Sequence, residues 1–492
     1  MSCKLYQLLF LLTFLLSAHA QDKELRKKPN ILWIVVEDMS SHFGYQGEKL
    51  VYTPNVDKLA KEGVVYNNAY VTSPVCSTSR SAMVTGMYQT SIGAHHHRSS
   101  RGTHKIYLPE GIKIIPEIFK EHGYYTCNMQ ESLTKPGKED YNFVYKRQDL
   151  YDAPNWSKMA KSQPFFAQVQ LRGGKLRNVA KWNKEVEQAI PENLVKPQDV
   201  NLPPYYPDCA EFRKDWAEYL NSVSYTDVAV GKIINRLKKD KLLDNTIIFF
   251  ITDHGISQAR GKQFMYDEGS RIPFVVWAPK LLKPQIKDEL VCHIDMAATS
   301  LQFAGIKIPD YMEAKPLFNK DHKAREFMVS ARDRCDETVD HIRSVRKGNF
   351  KYIKNHLPNR PYLQPCDYKD HKPWMLKLRE LDKLGELNDV HKLLTAKTRP
   401  PEELYDLSLD PFEINNLAND KAYGSKLMDF RSILSKWIKE TGDKGIKPES
   451  EESYDSDMKA YLDAFRKRKN TERIQSIESN ISIMKKWAAE GK

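Results

Sequence analysis

Pro29-Asn30-Ile31-Leu32-Trp33-Ile34-Val35-Val36-Glu37-Asp38 is the stretch that decides the fold class. A strand with one solvated face alternates apolar and polar side chains. Ile31 to Val36 does not alternate, so both of its faces must be covered, as in a parallel sheet between two layers of helices. Thr246-Ile247-Ile248-Phe249-Phe250-Ile251-Thr252 repeats the pattern and stops as sharply, at Asp253-His254-Gly255. Helices are expected between such strands. Thr53-Pro54 is an N-terminal signal before Val56, Leu59 and Ala60; Ile115 to Glu121 is short and closes at His122-Gly123; Glu211 to Lys239 is long and amphipathic. Tyr124 to Met129 and Pro164 to Val169 complete the alternation as strands. The class predicted is α/β, with a large mostly parallel sheet sandwiched by helices.

Past residue 320 the texture changes. Phe327 to Ser330, Ile342 to Val345 and Phe350 to Ile353 are short runs between polar turns, which predicts a smaller antiparallel sheet. From Gly442 the chain is highly charged. Pro448 to Ser453 reads as a loop, and Ile474, Ile477, Ile481 and Met484 recur at helical spacing. At the other end, Lys4 precedes the apolar run Leu8 to Leu16 and the Ala18-His19-Ala20 end, the pattern of a cleaved secretory leader too short to span a bilayer. The expected organisation is a leader at 1–20, a main domain at 21–320, a subdomain at 321–442 and a charged helical extension at 443–492. The protein is expected to be exported, to the periplasm or beyond, with no membrane span.

The composition, 41% hydrophobic and 28% charged, excludes collagen, wholesale disorder and a disulfide-dense scaffold. Lys and Arg outnumber Asp and Glu by 76 to 64, which favours an anionic partner, but no nucleic-acid recognition motif accompanies the charge. Six cysteines remain after the leader, with no Cys-x-x-Cys pair to suggest zinc, and sequence alone cannot pair them.

The chemistry gathers where the two apolar strands end. In parallel sheets side chains leave the core at the carboxyl ends and face a crevice. Glu37, Asp38, Asp253 and His254 together there would hold a divalent cation, and their oxygen-rich character favours Ca²⁺, or less well Mg²⁺, over zinc. Next comes Ser73-Pro74-Val75-Cys76-Ser77-Thr78-Ser79-Arg80-Ser81-Ala82-Met83-Val84-Thr85-Gly86. This segment resembles the signature of the type I sulfatases of the alkaline-phosphatase superfamily, in which a Cys followed four residues later by Arg is oxidised to formylglycine. The resemblance covers Pro29 to about Ala304, Arg332 to Lys354 and Glu402 to Leu417. Tyr266-Asp267-Glu268-Gly269-Ser270-Arg271-Ile272-Pro273 and Glu403-Leu404-Tyr405-Asp406-Leu407 are further landmarks.

The resemblance implies an alkaline-phosphatase-like fold and hydrolysis of a sulfate ester. A hydrated aldehyde made from Cys76 by a formylglycine-generating enzyme would be the nucleophile. It implies that Glu37, Asp38, Asp253 and His254 bind Ca²⁺ with oxidised Cys76, that Arg80 fixes the hydrate, and that Lys138 and Lys262 meet the sulfate oxygens. It places His97 and Arg98, of His95-His96-His97-Arg98, on the substrate side, and Arg334, in Arg332-Asp333-Arg334, at the pocket rim. Tyr141-Asn142-Phe143 is closest to the bacterial heparan-sulfamidase-like branch, which includes enzymes acting on algal glycans such as ulvan. The implied substrate is thus an acidic sulfated polysaccharide or oligosaccharide.

Several positions depart from the family pattern. Thr78 stands where Pro or Ala is usual, Glu37 where Asp is usual, His254 where many relatives have Asn, and Asp140 where a His is common. The Thr-His expected after the strand at Phe165 is replaced by Arg172-Gly173-Gly174-Lys175, which leaves Lys175 as the cation available to the leaving oxygen. Two rival hydrolases use the same machinery, an N-sulfatase and a phosphonate monoester hydrolase. The rival of another class is an inactive sulfated-glycan-binding protein, unconverted because of Thr78.

Overall fold

The computed structural model describes residues 28–492; the leader expected at 1–20 lies outside the described residues. The large sheet contains β1 (Asn30–Val36), β2 (Val64–Tyr70), β3 (Tyr125–Gln130), β4 (Phe165–Leu171), β5 (Thr246–Thr252), β6 (Phe274–Trp277) and β7 (Gln285–Cys292). They lie in the order β3-β4-β1-β5-β6-β2-β7. β3, β4, β1 and β5 are mutually parallel, so their carboxyl ends share one edge. β6 alone is antiparallel to both of its neighbours.

The unbroken apolar runs are explained by a core on each side. Leu32, Ile34, Val36, Ile248 and Phe250 face one core, which also takes Trp216, Leu220, Val223, Val230 and Ile233 of the long helix Ala210–Lys239. Ile31, Trp33, Val35, Ile247, Phe249 and Ile251 face the other, with Met296, Ala297 and Leu301 of the helix Asp295–Ala304. Each such side chain contributes roughly 1.5–3 kcal/mol on burial. Trp33 also donates its indole N–H to Ser300 Oγ at 2.9 Å, so its polar atom is satisfied inside the core.

The second sheet is antiparallel, in the order β11-β10-β9-β8, from β8 (Met328–Arg332), β9 (Ile342–Lys347), β10 (Phe350–Asn355) and β11 (Glu402–Asp406). The chain ends in two helices, Glu451–Lys467 and Thr471–Ala489, joined along a seam of Tyr454, Met458, Tyr461, Ile477 and Met484. Pro448 to Ser453 was expected as a loop; instead Ser450 accepts the Ser453 N–H and opens the first of these helices. The run of Ser and Glu is an N-cap with an acidic first turn, which has the same composition as a polar loop. All six cysteines of the described residues are free thiols. No helix among the described residues is long and apolar enough to cross a membrane.

Glu337 joins the second sheet to the terminal helices. Its Oε1 accepts the Asp367 N–H at 2.6 Å and Asn480 Nδ2 at 3.0 Å, while Oε2 has no partner. Burial, then the charge of Asp336, pushes its carboxyl up from 4.5 to about 8. The folded protein therefore holds this proton more tightly than the unfolded chain does. Its contribution to stability is full below pH 4.5 and is lost as pH rises to about 8. Glu337→Gln keeps the accepting oxygen and removes the titration. It is expected to flatten that decline, by up to roughly 1.4 kcal/mol per pH unit, and to melt above the wild type at pH 8, as thermal unfolding across a pH series would show.

Candidate active site

The carboxyl ends of β1 and β5 meet in register, Val36 beside Thr252, so the residues that follow are neighbours. Asp38, Asp253 and His254 are fully buried there. Asp38 adopts a left-handed backbone, φ 52°, a conformation that costs energy outside glycine and is held by its surroundings. Its N–H donates to Asp253 Oδ1 at 3.1 Å. The Gly173-Gly174 pair after β4 packs against the same backbone: a Cβ at Gly173 would strike the Glu37 carbonyl and one at Gly174 the Asp38 carbonyl. Glycine is required here because two backbones touch.

Cys76 is the first residue of the buried helix Cys76–Thr85, so its sulfur sits at the positive end of the helix dipole. Its Sγ lies 3.0 Å from His254 Nε2, 3.0 Å from Lys262 Nζ and 3.6 Å from Asp38 Oδ1. Burial alone would raise the thiol; the Lys138 and Lys262 ammoniums outweigh it and bring the group down from 9.0 to about 7. One helical turn on, Arg80 puts Nε and Nη2 on Asp253 Oδ2, each at 3.0 Å, and Nη1 on Gln170 Oε1 at 2.7 Å. Burial opposes ionisation of Asp253, and the charges of His254 and Arg80 more than offset it, so its carboxyl is lowered.

Asp38, Cys76, Asp253 and His254 each offer a ligand atom within 4.8 Å of the others. Two buried carboxylates, an imidazole and the residue-76 side chain suit a divalent cation. Glu37, expected with them, stands apart. Its Oε2 accepts Lys138 Nζ at 2.6 Å and also Lys175 Nζ, and these lysines outweigh burial and hold its carboxyl at about 2. The extra methylene relative to Asp carries the carboxylate to the lysines. Lys138 also lies 3.5 Å from Asp140 Oδ2, and Lys262 Nζ 3.3 Å from Asp38 Oδ2. Lys138, Lys175 and Lys262 thus converge on the two carboxylates that follow β1.

The substrate-side expectations divide. His97 is buried, with Nδ1 2.6 Å from Ser77 Oγ, and Arg98 donates its N–H to the same oxygen at 2.9 Å. The Arg98 guanidinium is about one-third exposed and lies 3.6 Å from Asp336 Oδ1. Both residues therefore flank the residue next to Cys76. Arg334, expected at the rim, is instead a buried clamp. Its Nε donates to Glu449 at 2.6 Å and its Nη2 to Asp457 at 2.7 Å, with its side chain 1% exposed. The terminal helices, which local pattern cannot place, cover it.

Two site residues went unread in the sequence. Gln170, next to last in β4, accepts from Arg80. Tyr368, on the short helix Asp367–Asp370, donates its hydroxyl to Asp38 Oδ2 at 3.2 Å and sets its ring 4.8 Å from Lys262 Nζ. Glutamine at every second place of an otherwise apolar strand, Gln168 and Gln170, gave a signal for the first; nothing local marks the second.

Residues 29–306 match the family model described as Sulfatase. The chain is 34% identical over 473 residues to an ulvan-active sulfatase of Formosa agariphila, covering 88% of this chain and 78% of that protein. It is 24% identical over 471 residues to human N-sulphoglucosamine sulphohydrolase, covering 85% and 91%. Among solved structures, one described as a 2-O GAG sulfatase superposes with a TM-score of 0.60 at 19% identity, covering 87% of this chain and 96% of that one, which bears on the fold alone. With this extent of match, the chain belongs to the sulfatase family and is a sulfuric ester hydrolase.

Proposed function

We propose that the protein is an exported, Ca²⁺-dependent sulfatase that cleaves sulfate esters of an acidic polysaccharide or oligosaccharide of the ulvan type, with formylglycine at position 76 as the nucleophilic residue. The observation that carries this reading is the placement of Cys76 Sγ between His254, Lys262 and Asp38 at the parallel-strand ends. The ulvan-active relative supports the choice of polymer. Ca²⁺ held by Asp38, Asp253, His254 and residue 76 would supply the charge that keeps a hydroxyl of the aldehyde hydrate ionised. The chain's own residues do the rest. Arg80 fixes Asp253 and neutralises it. Lys262 and Lys138 present ammoniums where charge gathers on the sulfuryl oxygens. Lys175, ionised beside Glu37, is the cation assigned to the leaving oxygen.

The test is mass spectrometry of the tryptic peptide 62–80 from protein made with a formylglycine-generating enzyme, joined to a panel of sulfate ester, sulfamate and phosphonate substrates. An aldehyde at 76 with preference for the ester supports the reading. A preference for sulfamate would favour the N-sulfatase, to which the human relative's name points. An intact thiol, where a control substrate is converted, would leave a glycan-binding protein.

Tyr368 supplies a second check. Asp38 Oδ1 faces Cys76 and His254, Oδ2 accepts the Tyr368 hydroxyl, and Lys262 straddles the two oxygens at 3.4 and 3.3 Å. The phenol thus fixes which oxygen is free for a cation. Tyr368→Phe keeps the ring and is expected to weaken Ca²⁺ binding by about 10–100-fold, measured by calorimetric titration, with turnover recovering at saturating Ca²⁺. Unchanged affinity would show that the hydroxyl does not orient the carboxylate.

A further inference from the structure

A cavity of about 290 Å³ lies just beyond Asp38 in sequence, lined by His42, by Arg260, Arg271 and Arg346, and by Tyr205 and Phe412. None of the clustered donors Asp38, Cys76, Asp253 or His254 lines it. Its size is at the lower end of small-ligand pockets, roughly 300 Å³.

The three arginines are unusual for this chain. Elsewhere buried guanidiniums sit on carboxylates: Arg80 on Asp253, Arg343 on Asp443, Arg399 on Asp340. In the cavity, none of the three is in an ion pair among the described residues. Arg260 donates to the Glu413 carbonyl at 2.7 Å and lies 3.6 Å over the Tyr266 ring, and its Nε has no partner. Arg271 donates Nε to the Asn67 carbonyl at 2.9 Å; Arg346 donates Nε to the Tyr70 hydroxyl at 3.1 Å and Nη1 to the Gly348 and Phe350 carbonyls, which leaves its Nη2. The cavity also holds three carboxylates; two of them share a lysine, while Glu268 keeps its Oε1 without a partner. Asp267 and Glu413 share the buried Lys351, and Glu268 lies 3.5 Å from the Tyr205 hydroxyl and 3.8 Å from His42. Burial also pushes the Glu413 carboxyl up to about 7, which reduces the negative charge further.

Guanidiniums with unused N–H groups around one space are suited to a planar or tetrahedral anion. Phe412, 44% exposed, adds an apolar face of the kind on which a sugar ring lies. We infer that this cavity is a second carbohydrate site, which takes the carboxylate or sulfate of an acidic saccharide unit away from the unit being cleaved. The choice of polymer rests on the sulfatase reading; the anion site does not.

The experiment is affinity electrophoresis of the full chain through gels containing ulvan, at constant ionic strength. Wild type and Cys76→Ala are expected to be retarded alike. Arg271→Gln and Phe412→Ala are expected to weaken retention at least ~5-fold while hydrolysing a small aryl sulfate at the wild-type rate; their melting curves confirm folding. Equal retention of wild type and Arg271→Gln overturns the inference. So does a result in which sodium sulfate alone stabilises the wild type but not Arg271→Gln, with no retention by the polymer, because the ligand is then the free anion. Retention without sulfate release by the wild type would sink the catalytic reading and leave the site standing.

Discussion

Cys76→Ala is expected to abolish sulfate release, lowering turnover on an aryl sulfate by on the order of 10⁴-fold or more, while leaving the fold intact. The substitution removes one sulfur from a helix held by many other contacts. Ser77 still bonds His97, Ser79 still donates to the Asp253 carbonyl at 2.5 Å, and Arg80 still pairs with Asp253. Lys262 keeps Asp38 as its counter-ion. Only the nucleophilic position is lost, so circular dichroism and melting should be near wild type. Cys76→Ser sharpens the test. A serine hydroxyl can accept the sulfuryl group but has no second hydroxyl through which to expel it. A sulfated peptide 62–80 after one turnover is therefore expected for Ser and not for Ala. Substantial steady activity in Cys76→Ala would remove residue 76 from the chemistry altogether.

Arg334→Ala is expected to act on stability rather than on substrate affinity. It strands Glu449 and Asp457, each beside a side chain with almost no access to water. Breaking a buried pair from one side costs about 3–5 kcal/mol. The loss should appear first in the terminal helices, because Asp457 also accepts the N–H groups of Arg101 and Gly102. Limited trypsin digestion should cut the 443–492 region early, and thermal unfolding should begin at lower temperature. The KM for an aryl sulfate at a temperature where the variant is folded should be unchanged. An unshifted melt with a raised KM would return Arg334 to the substrate.

The layered α/β architecture was legible because its signal is local: two-sided burial writes itself as unbroken apolar runs at Ile31–Val36 and Ile247–Ile251. The convergence of Asp38, Asp253 and His254 at the ends of those runs follows from the same signal, since strand direction decides where side chains emerge. What the sequence could not show is what arrives from far along the chain. Tyr368 is 330 residues from Asp38, and Glu449 is 115 from Arg334. No periodicity carries such pairings. Glu37 shows the same limit: nothing local foretells that Lys138 and Lys175 reach its carboxylate from 101 and 138 residues away.

The clamp formed by Asp457 also sets an order of events. The loop that follows His97 is tied down by a residue 355 positions beyond Gly102, so the wall beside Cys76 cannot close until that distant segment has been made. In the finished molecule Cys76 is 2% exposed, at the head of a helix buried along its entire length. Any enzyme acting on this thiol would therefore have to reach the chain before it folds. A molecule that folds first would keep its thiol sealed inside an otherwise complete site.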